Sequence, residues 1–161
     1  MKNWGDMPDH ARVWTYQAER GLADEEVRHI LNSGEAFVRQ WTSHGANLDA
    51  SFNVVYNRIV LLSADEQAVA ASGCGIDKSV HFMKDLSNTM GIDFFQRTMV
   101  LFKRDLEWEE APLNVFWAMR KAMLVNDETL VLDTTVRTMG EVRSQMEKPF
   151  SKSWHAEMWG K

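Results

Sequence analysis

The stretch Ser51-Phe52-Asn53-Val54-Val55-Tyr56-Asn57-Arg58-Ile59-Val60-Leu61-Leu62-Ser63 decides the fold. Its two runs, Ser51–Tyr56 and Arg58–Ser63, are rich in β-branched and aromatic residues, and the polar pair Asn57-Arg58 between them predicts either a hairpin or one long, bent strand. Ile59-Val60-Leu61-Leu62 is continuously apolar, as expected of a central strand covered on both faces. A second pair repeats the arrangement. Thr98–Lys103 reads as a strand, and Leu106–Glu110 alternates so that it pairs back across Arg104-Asp105. Adjacent strands joined by such short turns make an antiparallel or mixed sheet.

Helices flank these pairs. Asp24, Glu25 and Glu26 suit a first helical turn, whose dipole favours negative charge. Val27, Ile30, Leu31, Gly34, Val38 and Trp41 then trace one apolar stripe, which Gly45 after His44 is placed to end. Asp77 reads as an N-cap, and Ile76, Val80, Met83, Leu86 and Met90 recur at spacings of three and four until Gly91 stops the helix. Pro112 suits the first position of a third helix, with Val115, Phe116, Met119, Ala122 and Met123 on its apolar face. Beyond the Asn126-Asp127 turn, Leu130–Leu132 is a short buried strand. Thr135–Glu147 is a helix carrying Val136, Met139, Val142 and Met146, and Pro149 ends it.

No repeat, low-complexity tract or dividing linker interrupts these elements. They predict one α+β domain over residues 1–161, with an antiparallel or mixed sheet and helices mainly on one face. Residues 1–21 read as an N-terminal arm in which Ala11–Gln17 is a short strand. Residues 148–161 read as a docked C-terminal tail, because Trp154 carries apolar surface that its polar neighbours cannot hide.

Composition narrows the function. Hydrophobic residues at 45% and charged residues at 25% argue against disorder. The net charge of −5, from 23 acidic and 18 basic residues, gives no electrostatic reason to expect nucleic-acid binding. No apolar run is long enough to span a membrane and no secretion signal is present, so a cytoplasmic protein without membrane insertion is expected. One cysteine permits no internal disulfide and fits a reducing compartment. No cofactor motif or metal-ligand spacing is present, so neither a cofactor nor a metal is expected. Seven tryptophans and ten methionines are in excess; such side chains fill irregular cores and also line adaptable binding surfaces.

The candidate site is Ser72-Gly73-Cys74-Gly75-Ile76-Asp77-Lys78-Ser79-Val80-His81. Two glycines around the only cysteine read as a sharp turn ahead of the helix. In the leading reading Cys74 is a small packed residue, inaccessible, with the glycines setting the turn. A reactive thiol or a metal ligand is the alternative. His81, one turn inside the helix, and His155 and His10, brought in by folding, are the candidate bases. Ser72, Gly73, Gly75, Lys78 and Ser79 are the candidate ligand-binding residues, because helix-start amides favour anions.

Pro8–Trp14, Tyr56-Asn57-Arg58, Ser72-Gly73-Cys74 with Ile76-Asp77, Ser79–Phe82 and Ser153-Trp154-His155 together resemble an uncharacterised bacterial family of about this length, over nearly the whole chain. Members of that family are often labelled ABC transporter ATPases, a label that implies ATP hydrolysis. A phosphate loop needs glycines one and six residues before its lysine, and Asp77 and Ser72 stand there instead. No separate strand ends in Asp-Glu, so ATPase activity is not expected.

Three functions fit these features. The first is a non-catalytic binding or accessory protein that holds a small molecule or a partner protein on a tryptophan- and methionine-lined surface. The second is a thiol-dependent enzyme or redox protein centred on Cys74 with a histidine base. The third is an anion- or nucleotide-binding protein using the helix start after Cys74. An oligomer is compatible with each.

Overall fold

A computed structural model describes residues 2–159. The chain runs β1 (Arg12–Gln17), α1 (Asp24–Gln40), β2 (Thr42–Ser43), β3 (Ala46–Asn47), β4 (Asp49–Val55), β5 (Ile59–Asp65) and α2 (Gly73–Met90). It continues through β6 (Met99–Arg104), β7 (Glu107–Pro112), α3 (Leu113–Lys121), β8 (Leu130–Leu132), α4 (Met139–Gln145), β9 (Glu147–Pro149) and α5 (Trp154–Trp159).

The strand pair read from the sequence is a hairpin, β4 to β5, with Val55 opposite Ile59 and both Tyr56 and Asn57 at positive φ in the turn. The arm strand β1 pairs antiparallel with the other edge of β5, giving the order β1-β5-β4. A second antiparallel sheet has the order β7-β6-β8-β9. Alternation along β5 explains its unbroken apolar run. Ile59 and Leu61 pack with Leu101 and Leu132 of the second sheet, while Val60 meets Ile30 and Met83, and Leu62 meets Val38, on the helix side. Val100, Phe102 and Val131 turn the outer face of the second sheet toward Phe116 of α3 and Phe150. The result is an α+β domain of four layers in which each sheet carries helices on one face and meets the other sheet with its opposite face.

Several boundaries differ from those the sequence predicts. α1 stops at Gln40, and Gly45 instead serves the tight β2–β3 turn beside His44, both at positive φ. α2 begins at Gly73 and is capped by Ser72 rather than by Asp77, five residues earlier, because the Ser72 hydroxyl accepts the Gly75 N–H at 3.0 Å. The hairpin between β6 and β7 turns one residue later, with Asp105 and Leu106 at positive φ. α3 ends at Lys121, so Ala122 and Met123 fall beyond it; Met123 and Val115 are exposed and only Phe116 of the expected stripe is buried. α4 starts at Met139 because Thr138 caps the Glu141 N–H; Thr134 and Thr135 form a turn, Val136 and Arg137 lie outside any helix with the Arg137 carbonyl bonded to β1, and Glu147–Pro149 form a strand. The tail docks through buried Phe150 and through Trp159, which lies 5.0 Å from the Trp117 ring. Met1, Gly160 and Lys161, the ends of the expected arm and tail, lie outside the described residues.

Candidate functional site

Around Cys74 the structure corrects the packing reading. Cys74 is exposed on the first turn of α2, not buried in a turn ahead of it. Gly73 has open space where a Cβ would stand, and neither it nor Gly75 takes positive φ. Gly75 is glycine for another reason. A Cβ there would lie 3.3 Å from the Thr42 carbonyl oxygen, and the buried Trp41 indole donates to the Gly75 carbonyl at 2.7 Å. The helix start is already occupied by its own bonds: Ser72 Oγ accepts from Gly75, the Ser72 carbonyl accepts from Ile76, and the buried Ser79 hydroxyl donates to the Ile76 carbonyl. Lys78 and His81 are exposed and line a groove of about 370 Å³ between α1 and α2, beside the stacked rings of Phe37 and Phe82.

The histidines are not gathered at the thiol. His81 lies seven residues along α2 from Cys74, roughly 10 Å of helix. His10 bonds Asp65 at 3.0 Å. His155 is buried in α5, stacked on Trp154 at 3.8 Å, and burial lowers its pKa to about 4; Asp133 acts weakly upward and Lys148 weakly downward. Its Nδ1 is buried without a partner. His155 lines an apolar pocket of about 430 Å³ with Met99, Leu113, Trp154 and Met158, and Cys74 lines neither that pocket nor the groove at His81. Trp154 therefore does not close over Cys74. Among the described residues no group of three or more histidine, cysteine or acidic side chains is placed to hold a metal ion, and no helix is long and apolar enough to cross a membrane.

A larger cavity lies elsewhere. A cleft of about 680 Å³ opens along the outer edge of β1, between α2 and the segment 134–137. Trp14, Tyr16, Phe95 and Trp154 supply aromatic surface, and Lys84, Arg97 and Arg137 supply charge. Its lining contains no carboxylate, cysteine or histidine. Among the described residues none of those three cations forms an ion pair; Arg12, outside the lining, has its guanidinium 4.7 Å from the Trp14 ring and 3.8 Å from Glu66. Burial raises the pKa of Tyr16, against smaller downward effects of the Ser79 hydroxyl and the Arg97 charge, so the phenol stays neutral.

The floor of the cleft is a strand edge closed at both ends. Val13 N–H donates to the Arg137 carbonyl at 2.8 Å, and Met139 N–H donates to the Ala11 carbonyl at 2.9 Å. At the far end Gln96 N–H donates to the Gln17 carbonyl at 3.3 Å. Alternate residues of an antiparallel ladder turn both backbone groups to one side. Val13 and Gln17 thus face outward, and so does Thr15 between them. Among the described residues the Thr15 N–H, the Thr15 carbonyl and the Val13 carbonyl have no hydrogen-bond partner on that side; the Thr15 hydroxyl donates to the Thr134 carbonyl at 2.8 Å. A slot of about 30 Å³ lined by Thr15–Gln17, Phe94–Arg97 and Thr134 continues the cleft there.

No family model, curated protein or solved structure matches this chain. The cleft draws on β1, α2, the loop before β6, the loop before α4 and α5, so its residues come from five separate segments. Sequence reading placed Trp154 as an aromatic needing cover and gave Lys84 no role. It assigned no role to Arg97 or Arg137, for which spacing gives no signal.

Proposed function

We propose that the protein is a non-catalytic binding module for a ligand that carries a negative charge on a flat or apolar body. The observation that carries this reading is the charge of the cleft: three cations that form no ion pair among the described residues line it together with aromatic side chains, in a chain whose net charge is −5. Exposed cations gathered on one side of a cleft attract an anion in a salt-dependent way, and aromatic faces take flat or apolar groups beside them. Binding rather than reaction is favoured because the lining offers no carboxylate, cysteine or histidine to act as nucleophile or general base. The surface of tryptophan and methionine expected from composition corresponds to Trp14 and Trp154 in this cleft and to Met99 and Met158 in the pocket beside it.

The test uses 8-anilinonaphthalene-1-sulfonate, an anionic aromatic probe, excited by energy transfer from tryptophan. Saturable binding that weakens with added salt is expected. Lys84→Ala with Arg97→Ala should lower affinity roughly tenfold, about 1.4 kcal/mol for two exposed charges acting together, while the thermal melt is unchanged. Probe binding indifferent to salt and to both substitutions would overturn the reading.

A further inference from the structure

The cations of the cleft would satisfy any small anion, but its floor offers something that such an anion does not use. We propose that the cleft takes an extended peptide segment bearing a carboxylate, which adds as a short strand to the outer edge of β1 at Thr15. This rests on the reading of the cleft as an anion site and names the class of its ligand.

Three backbone groups in a row, the Val13 carbonyl and both groups of Thr15, face the cleft unpaired. The neighbouring chain does not fill them because its own amides are engaged elsewhere: Arg137 N–H donates to Glu141 Oε2 at 2.6 Å and Thr135 N–H to Asp133 Oδ1 at 2.9 Å. The segment 134–137 therefore leaves β1 after its one bridge at Arg12–Thr138. A strand laid about 4.8 Å outside β1 would exchange two hydrogen bonds with Thr15 and give a third to the Val13 carbonyl. From Val13 to Gln17, where the edge closes at both ends, is roughly 13 Å at about 3.3 Å per residue. That is room for three or four residues. Side chains of an added strand alternate, so one set meets Val80 and Lys84 of α2 and the other meets Thr134–Val136. Lys84, Arg97 and Arg137 surround this edge, and a carboxylate reaching any of them comes from an acidic side chain or from the free C-terminus of the peptide.

The probe is acetyl-Val-Glu-Val-Glu with a free C-terminus, measured by isothermal titration and by displacement of the anionic dye. Three comparators are its C-terminal amide, the glutamine analogue, and a set in which each amide is N-methylated in turn. Binding should fall at least tenfold for N-methylation at alternate amides and stay within about twofold at the others, the signature of a ladder. The Thr15 amide should become protected from exchange. A loss on amidation alone assigns the carboxylate to the chain end, and a loss on glutamine replacement assigns it to the side chains. If the dye binds in an Arg97-dependent manner but the peptide does not, or if N-methylation has no positional pattern, strand addition is wrong and the anion cleft stands. If neither dye nor peptide binds, both readings fall.

Discussion

Acidification should expose the buried histidine of α5 in a stability measurement. His155 is 3% exposed, its Nδ1 has no partner, and burial holds its pKa at about 4 against an ordinary value of 6.5. Asp133 and Lys148 are the charged groups that act on it, with opposite signs. Because the native pKa is the lower one, the unfolded chain takes up a proton that the native state refuses between these two values. Stability is therefore full above about pH 6.5 and falls as the pH drops towards 4. Two-state linkage gives a loss of about 2 kcal/mol at pH 5 and about 3 kcal/mol at pH 4, with no further contribution from this group well below that. Glu26, held at about 2 by Arg20 and by the Ala23 N–H, and Asp65 and Asp133, also lowered, keep their charge through most of this window. Urea titrations in half-unit steps from pH 7.5 to 4 measure the effect in the native sequence and in His155→Gln, which cannot titrate. The two curves should converge as the pH falls, the native sequence losing about 3 kcal/mol more than the variant. Parallel curves would refute the burial and the missing partner together.

Leu61→Ala removes a fully buried side chain between the two sheets and should cost about 2–5 kcal/mol in the same titration; a loss below about 1 kcal/mol would mean that the sheets do not pack as described. Ser72→Ala takes away the cap of α2 and should cost about 1 kcal/mol. Gly75→Ala should also destabilise, by about 1 kcal/mol net, because crowding against the Thr42 carbonyl outweighs the gain in helix propensity; indole exchange at Trp41 should speed up with it. Cys74→Ser should change stability by less than about 0.5 kcal/mol, and the native thiol should be alkylated about as completely before unfolding as after.

Local chemistry made much of the fold legible. The polar break at Asn57-Arg58 left a hairpin or one bent strand open, of which the β4–β5 hairpin is found, and the stripe from Val27 to Trp41 marked α1. The continuous run Ile59–Leu62 correctly signalled burial on both faces, but an apolar face is satisfied equally by a helix or a second sheet, so the two-sheet layering could not be read from it. Helix starts were misplaced where two caps competed. Ser72 outranked Asp77 because the Gly75 amide lies within reach of its hydroxyl, and Thr138 with Glu141 outranked the apolar spacing that begins at Val136. The cleft was invisible for a different reason. Lys84, Arg97 and Arg137 each look like ordinary surface cations, and their convergence depends on how β1, α2 and the loop before α4 come together in space. The glycines around Cys74 drew attention that belongs to helix packing against Trp41.

The central claim is that the cationic aromatic cleft along β1 is the binding site, and the tryptophan indoles can locate binding directly. In nitrogen–proton correlation spectra titrated with the anionic aromatic dye, Trp14 and Trp154 should show the largest indole shifts, with the Thr15 amide moving alongside them, while Trp117 at the α3–α5 contact stays in place. Shifts confined to Trp117 and Trp159, or to His81 and its groove between α1 and α2, with Trp14 and Trp154 unmoved, would contradict it.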